Sequence, residues 1–256
     1  MRSIDLNADL GEGFGPWRMG ADESLLPLLS SANIACGFHA GDPSIMDRTI
    51  RTAIRLGVDI GAHVGYPDLQ GFGRRPMQIE SGELAAMVIY QLGALGGMAR
   101  AAGGRMTHMS FHGALGNRIA ADAALADALL QAVAAYDAGL IISSSPSAAM
   151  VTAAAMHGLR LRTTFLADRA CDREGLLVPR SRQGAVIHDP RQVAARVRQL
   201  LAEGTVTSIE GERLAIAADS ILVHGDTEGA LDLARHVRET IRQAGVRVQP
   251  LSQLEH

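Results

Sequence analysis

Two periods alternate along the chain. Short runs rich in isoleucine, valine and leucine recur between longer segments whose apolar residues fall at helical spacing. That alternation predicts an α/β protein with a mostly parallel sheet. The predicted strands are Ser3 to Leu10, Val58 to Val64, Arg105 to Phe111, Gly139 to Ser144, Leu159 to Phe165, Val206 to Ile209 and Ser220 to His224. A first helix opens at Asp42 and Pro43, an N-cap followed by a proline in the first helical position, and stops at Gly57. Further helices are predicted over Glu83 to Ala102, Ala120 to Tyr136, Ser147 to His157, Pro190 to Glu203 and Glu228 to Ala244. The turn Glu210-Gly211-Glu212 reads as a hairpin, a local antiparallel excursion. No repeat, low-complexity tract or Pro/Ser-rich linker divides the 256 residues, so a single domain over 1–256 is expected. That length is close to the roughly 250 residues of one (β/α) barrel.

Composition narrows the chemistry. Hydrophobic residues make up 47%, charged residues 20%, and the net charge is -3. This is the profile of a globular protein and carries no basic stripe for nucleic acid. All 24 basic residues are arginine, which excludes a lysine nucleophile or Schiff base. The N-terminus MRSIDLNADLGEG carries acids where a signal peptide has its apolar stretch, and no run of about 18 apolar residues follows, so a cytoplasmic protein with no membrane partner is expected. Cys36 and Cys171 lack metal or redox spacing and read as buried reduced thiols.

The stretch Asn33 to Pro43, NIACGFHAGDP, sets His39 and Asp42 on a backbone of small residues. Bare backbone lets a ligand approach closely while His39 points at it and Asp42 caps the next helix. His63, His112 and His224 each terminate a predicted strand, and Asp9 and Glu12 sit at the end of the first. Strand C-termini of a parallel barrel share one face, where active sites form. A lone strand-end histidine is more often structural, and Asp42 and Asp226 are explained as caps. Four imidazoles and two carboxylates on one edge, however, cost desolvation without structural return. Two chemistries fit. Asp9, His39 and His63 could ligate a divalent metal; or Asp9 or Glu12 acts as general base on water, with a histidine as acid, which the spacing favours because no HExxH or HxH occurs. Two segments without periodicity, Gly65 to Gly82 and Leu166 to Gly184, have the length of functional loops. They carry Arg74 and Arg75 in GFGRR and Arg169 in ADR; Arg74 and Arg169 suit a substrate carboxylate or phosphate, whereas Arg75 reads equally as a surface residue.

Taken together, DLNADLGEGFG, SANIACGFHAGDP, GAHVGYPDLQGFGRR, FHGALGN, ADRA and VHGDT, in this order over nearly the whole chain, resemble the LamB/YcsF family, the A subunits of bacterial 5-oxoprolinase. The resemblance implies a distorted (β/α) barrel of the seven-stranded polysaccharide-deacetylase type. It also implies ATP-dependent opening of 5-oxoproline to glutamate in company with B and C subunits. On that basis Asp9 and Glu12 serve the water, His39, His63 and His112 the proton transfers, and Arg74 and Arg169 the anions. Asn7, Asn117, Asp168, His224 and Asp226 are expected around the substrate. No P-loop occurs, so ATP is expected to be handled by the partners. Departures from the family pattern put Ser110, Phe111 and Gly116 where KPHGALYN has Lys, Pro and Tyr, and Thr164 and Cys171 where a Glu and a Tyr are usual. Val64 and Glu228 stand at two usual prolines. Joint loss of a Lys and a Glu is what an ion pair would require, since one left alone strands a buried charge at about 3–5 kcal/mol. The alternatives are a catalytically silent lactam-binding or scaffold protein, and a metal-dependent deacetylase-like hydrolase.

Overall fold

From the N-terminus the elements are β1 (Ser3–Leu10), α1 (Asp22–Leu25), β2 (Ser31–Ala35), α2 (Pro43–Leu56), β3 (Asp59–Val64), α3 (Ser81–Ala101), β4 (Met106–Phe111), α4 (Gly113–Ala121), α5 (Ala123–Asp137), β5 (Ile141–Ser144), α6 (Ala148–Met156), β6 (Arg160–Leu166), α7 (Pro190–Glu203), β7 (Thr205–Thr207), β8 (Arg213–Ala215), β9 (Ser220–His224), α8 (Ala230–Gln243) and β10 (Arg247–Val248). The structure is a computed structural model that describes residues 2–226 and 229–255. Thr227 of the VHGDT motif and Glu228, where the last helix was expected to begin, lie outside the described residues.

Seven parallel strands run in the order β1-β2-β3-β4-β5-β6-β9 and close through β1 and β9, where Asp5 pairs with Ser220 and Asp9 with His224. The fold is thus a closed seven-stranded parallel barrel wrapped by helices. Short β10 adds to the start of β1, Ser3 opposite Arg247. The expected antiparallel excursion is the β7–β8 hairpin, turning at Gly211 with φ +94°. Because every barrel strand is parallel, all C-terminal ends meet at one rim.

Local chemistry sets the element ends. Asp42 accepts from Ser44 N (2.8 Å) and Ile45 N (2.9 Å), Pro43 starts α2, and Gly57 ends it in the left-handed region. The helix expected over Ala120 to Tyr136 is α5, and it is preceded by a helix that was not expected, α4, the two being bent by 116°. The break is at Asp122, whose side chain accepts from Leu125 N and caps α5. Strand β2 escaped the periodicity because SANIA is short and, Ile34 apart, built from weak strand formers, with Ser31 and Asn33 turned inward.

That inward polarity is general. On β1, Ile4, Leu6, Ala8 and Leu10 join the apolar core between barrel and helices, while Asp5, Asn7 and Asp9 hydrogen-bond with groups inside the barrel. Each fully buried aliphatic side chain contributes about 1.5–3 kcal/mol, so the stability lies in this outer layer. The barrel interior, usually filled by branched aliphatics, is kept polar. Helix α3 is long and apolar enough to cross a membrane by length and composition; here it packs on β3 and α5 with Leu84, Val88, Leu92 and Leu95 buried.

Candidate active site

The rim residues come from the ends of five strands. Asp9 is near the end of β1 and Glu12 just after it; His39 lies between β2 and α2; His63 is the penultimate residue of β3 and His224 the last of β9; His112 follows β4 directly. All six are at most 8% exposed. The His39 and His112 rings stack with centroids 3.9 Å apart and 8° between planes. His63 stands edge-on to both, at 5.3 and 4.8 Å. The stack has room only because position 73 is glycine, with φ +62°: a Cβ there would lie 2.7 Å from His39 Cβ and 2.9 Å from His112 Cδ2. Its neighbour Phe72, a non-glycine residue at φ +54°, lays its ring edge-on to His39 and His112.

Hydrogen bonds fix the tautomers. His112 Nε2–H donates to the Phe72 carbonyl at 2.8 Å. Burial, followed by the neighbouring His63, pushes the His112 pKa down to about 3. The ring is neutral at pH 7, and its Nδ1 is an acceptor facing His63 Nε2 at 2.9 Å. The other ring nitrogen of His63 meets the Ser110 hydroxyl at 2.7 Å. Ser110 therefore replaces the family's lysine with a group that can donate or accept.

The two carboxylates are set apart by their surroundings. Burial raises the proton affinity of Asp9, but His63, whose Nε2 is 3.4 Å away, and then His224 and Asn33 outweigh it and hold Asp9 ionised. Burial and the Asp9 charge push Glu12 well above the ordinary carboxylate range. Glu12 Oε1 lies 3.3 Å from His39 Nε2 and 3.8 Å from His112 Nδ1. The surroundings thus push the proton affinities of the two carboxylates apart.

Across the rim, His224 Nδ1 faces both oxygens of Asp168 at 2.9 Å, and Asp168 also accepts from His224 N–H. Burial disfavours the imidazolium, yet Asp168 wins and raises the His224 pKa. Burial likewise opposes the charge on Asp168, and His224 overcomes it. At the mouth, Arg74 Nη2 donates to Asp226 at 2.7 Å and its guanidinium lies 4.8 Å over the Phe72 ring.

Several expected residues are placed elsewhere. Arg169 is buried and donates to the carbonyls of Ala185 (3.2 Å) and Val178 (2.6 Å), so it pins the β6–α7 loop, with these hydrogen bonds spent on its own chain. Asn7 is spent inside the barrel on Ser220, Asp5 and Asn33. Asn117 stands exposed on α4, outside the buried set, and Arg75 is bound to Asp68 within its own loop. Reading from sequence missed Arg180, in electrostatic reach of Arg74, Asp226 and Asp168. It also missed His108, although strand alternation puts His108, Ser110 and His112 on one face.

Among the described residues, the atoms that could share a metal are those of Glu12, His39, His63 and His112, all within 4.8 Å of one another. Glu12 and His112 thus take the place expected for Asp9, whose carboxylate lies 3.4 Å from His63 Nε2. The set fits a divalent ion. His112 turns its second nitrogen to a carbonyl and its first into the cluster, as metal-bound imidazoles do, and His39 brings Nε2 to 3.3 Å from Glu12.

Residues 4–256 match the LamB/YcsF family. The chain is 64% identical over 251 residues to the first 5-oxoprolinase A-type subunit of Pseudomonas syringae pv. tomato, covering 98% of each. It is 64% identical over 250 residues to the second 5-oxoprolinase A-type subunit of Ralstonia nicotianae, covering 98% of this chain and 96% of that one. The crystal structure of a lactam utilization protein from Thermus thermophilus superposes with a TM-score of 0.91 at 41% identity, over 96% of this chain and 99% of that one.

Proposed function

The chain belongs to the LamB/YcsF family, and from that premise we propose that it hydrolyses a cyclic amide, 5-oxoproline first among the candidates, as one component of a heteromeric 5-oxoprolinase. The observation that carries this reading is the geometry of one buried rim: Glu12 Oε1 lies 3.3 Å from His39 Nε2, Asp9 lies 3.4 Å from His63 Nε2, and His224 Nδ1 is held by Asp168 at 2.9 Å.

A five-membered lactam is a stable amide, and its opening needs an activated carbonyl, a base for water and an acid for the departing nitrogen. Activation by ATP is assigned to the partner subunits, since this sequence carries no P-loop. In its ionised form Glu12 takes the proton of the attacking water, with His39 and His112 beside it to pass the proton on. Asp9 orients His63 and favours positive charge that develops there. As the carbon–nitrogen bond breaks, the nitrogen takes the proton of His224, whose Nδ1 is held by Asp168 so that Nε2 is the free end. Arg74 receives the substrate carboxylate or a phosphate oxygen in exchange for Asp226.

A second reading keeps the same residues and adds a divalent metal held by Glu12, His39, His63 and His112. When bound, such an ion polarises a carbonyl or lowers the pKa of water. The experiment for the main reading is glutamate release from 5-oxoproline and ATP by this chain mixed with B and C subunits of a related enzyme. Release is expected. None, in a mixture where that enzyme's own A-type component works, would refute the substrate.

A further inference from the structure

Deep in the barrel, one layer below the rim, lies a histidine that the proposed reaction does not use. His108 is fully buried, its pKa pushed down to about 4 by burial. Two features of the backbone exist to admit it. The β3–β4 register slips between Ile60 and Gly61, so that Thr107 is an extra residue and His108 faces Gly61; bulges of this kind re-aim side chains beside active sites. And Gly61 leaves the space the ring occupies, since a Cβ there would lie 2.1 Å from His108 Nε2 and 2.3 Å from Cδ2.

What the ring does there follows from donors and acceptors. The Thr107 hydroxyl lies 3.0 Å from His108 Nδ1, and Nε2 lies 3.1 Å from Asn33 Oδ1. Asn33 Nδ2 in turn donates to Asp9 Oδ1 at 3.0 Å and to Asn7 Oδ1 at 3.3 Å. Asn7 is held the same way up because its own Nδ2 donates to Ser220 Oγ and Asp5 Oδ2. Below it, Asp5 accepts from Ser30, Ser31 and Ser220. If the Asn33 amide flipped, its oxygen would face the Asp9 carboxylate and the Asn7 oxygen, and its NH2 would face the His108 N–H. The interior therefore allows one orientation.

We propose that His108 and Asn33 are positioning residues for the rim: the His108 ring fixes the Asn33 amide, and the amide holds Asp9 by one oxygen so that the other faces His63. This rests on the reading that Asp9 and His63 belong to the reacting site. It accounts for a polar column that a barrel built only for stability would fill with aliphatics, because a fully satisfied buried network rigidifies what it holds.

The test uses the full chain with 15N-labelled histidine, the His63 ring signals being assigned with His63→Gln. In His108→Leu the His63 ring-nitrogen signals are expected to shift, three contacts away, while those of surface His157 stay in place. In the reconstituted assay kcat falls about 10- to 100-fold, as for other outer-layer partners of reacting groups, with KM for 5-oxoproline within about twofold. His108→Gln, whose amide can still donate to Asn33, keeps most of the activity. Gly61→Ala, which displaces the ring without removing it, reproduces the His63 shift and serves if His108→Leu does not fold. A folded His108→Leu protein with unmoved His63 signals and unchanged kcat overturns the proposal. A His63 shift in a preparation whose wild type gives no turnover supports the positioning and counts against the proposed substrate.

Discussion

Replacing Asp168 by asparagine removes a charge and almost nothing else, and it separates a charged His224 from a neutral one. Asp168 is fully buried and His224 8% exposed, so solvent screens their contact weakly. Removing one partner of such a pair costs about 3–5 kcal/mol. We expect Asp168→Asn and His224→Gln each to lower stability by that amount at about pH 6. The double variant should lose less than the two singles together, by about 2–3 kcal/mol. The pH window follows from the directions of the shifts. His224 has a raised folded pKa, so its contribution is full below its unfolded value near 6.5 and is lost as pH rises through the folded value. Asp168 has a lowered folded pKa, so its contribution is present above 3.8 and is lost as pH falls through the folded value. The coupling is therefore largest between about pH 4 and 6.5 and decays in alkali. Urea titrations of the four proteins at several pH values measure it, provided m is unchanged. A coupling below about 0.5 kcal/mol, or one indifferent to pH, would refute a His224 charged by Asp168 and remove it as the acid.

Other outcomes follow from the rim. Arg74→Ala should raise KM for 5-oxoproline about tenfold or more and leave kcat nearly unchanged in the reconstituted assay, the mark of a residue that binds ground and transition state alike. Equilibrium dialysis against zinc should load one ion per chain if the four-donor set is a metal centre, and His39→Ala should abolish the loading. Below its ordinary pKa of 6.5, His112 takes a proton in the unfolded chain but not in the fold until about pH 3. It therefore costs about 1.4 kcal/mol per pH unit across that range, and His112→Gln should flatten the acid limb of a stability profile.

The sequence and the structure meet most closely where the local rules are strong. The caps of α2, both ends of α7 and the limits of β1 and β9 were legible because Asp-Pro, glycine and aliphatic runs act locally. Strand β2 was not: Ser31 and Asn33 do alternate with Ala32 and Ile34, but over five residues with one β-branched side chain the pattern is too short and too weak to stand out. Asp9, Glu12 and the four rim histidines were legible as a group, because strand ends share a face. Their division of labour was not. That the surroundings raise the proton affinity of Glu12 and lower that of Asp9 depends on distances of 3–4 Å between residues far apart in sequence. Arg169 looked like an anion site in ADRA, yet the fold turns it toward two carbonyls of its own loop. His108 shares a face with Ser110 and His112 by simple alternation, whereas its place opposite Gly61 depends on the register shift.

The central claim is that Glu12 carries the water's proton and Asp9 only fixes charge. It is tested most directly by glutamate release from 5-oxoproline and ATP, with the partner subunits present and with Glu12→Gln and Asp9→Asn at equal folded concentration. The account predicts that Glu12→Gln loses kcat by about 10²- to 10⁴-fold, the worth of a general base, and that Asp9→Asn loses less and retains the pH dependence of the wild type. Release undiminished in Glu12→Gln, or a larger loss in Asp9→Asn, would contradict it.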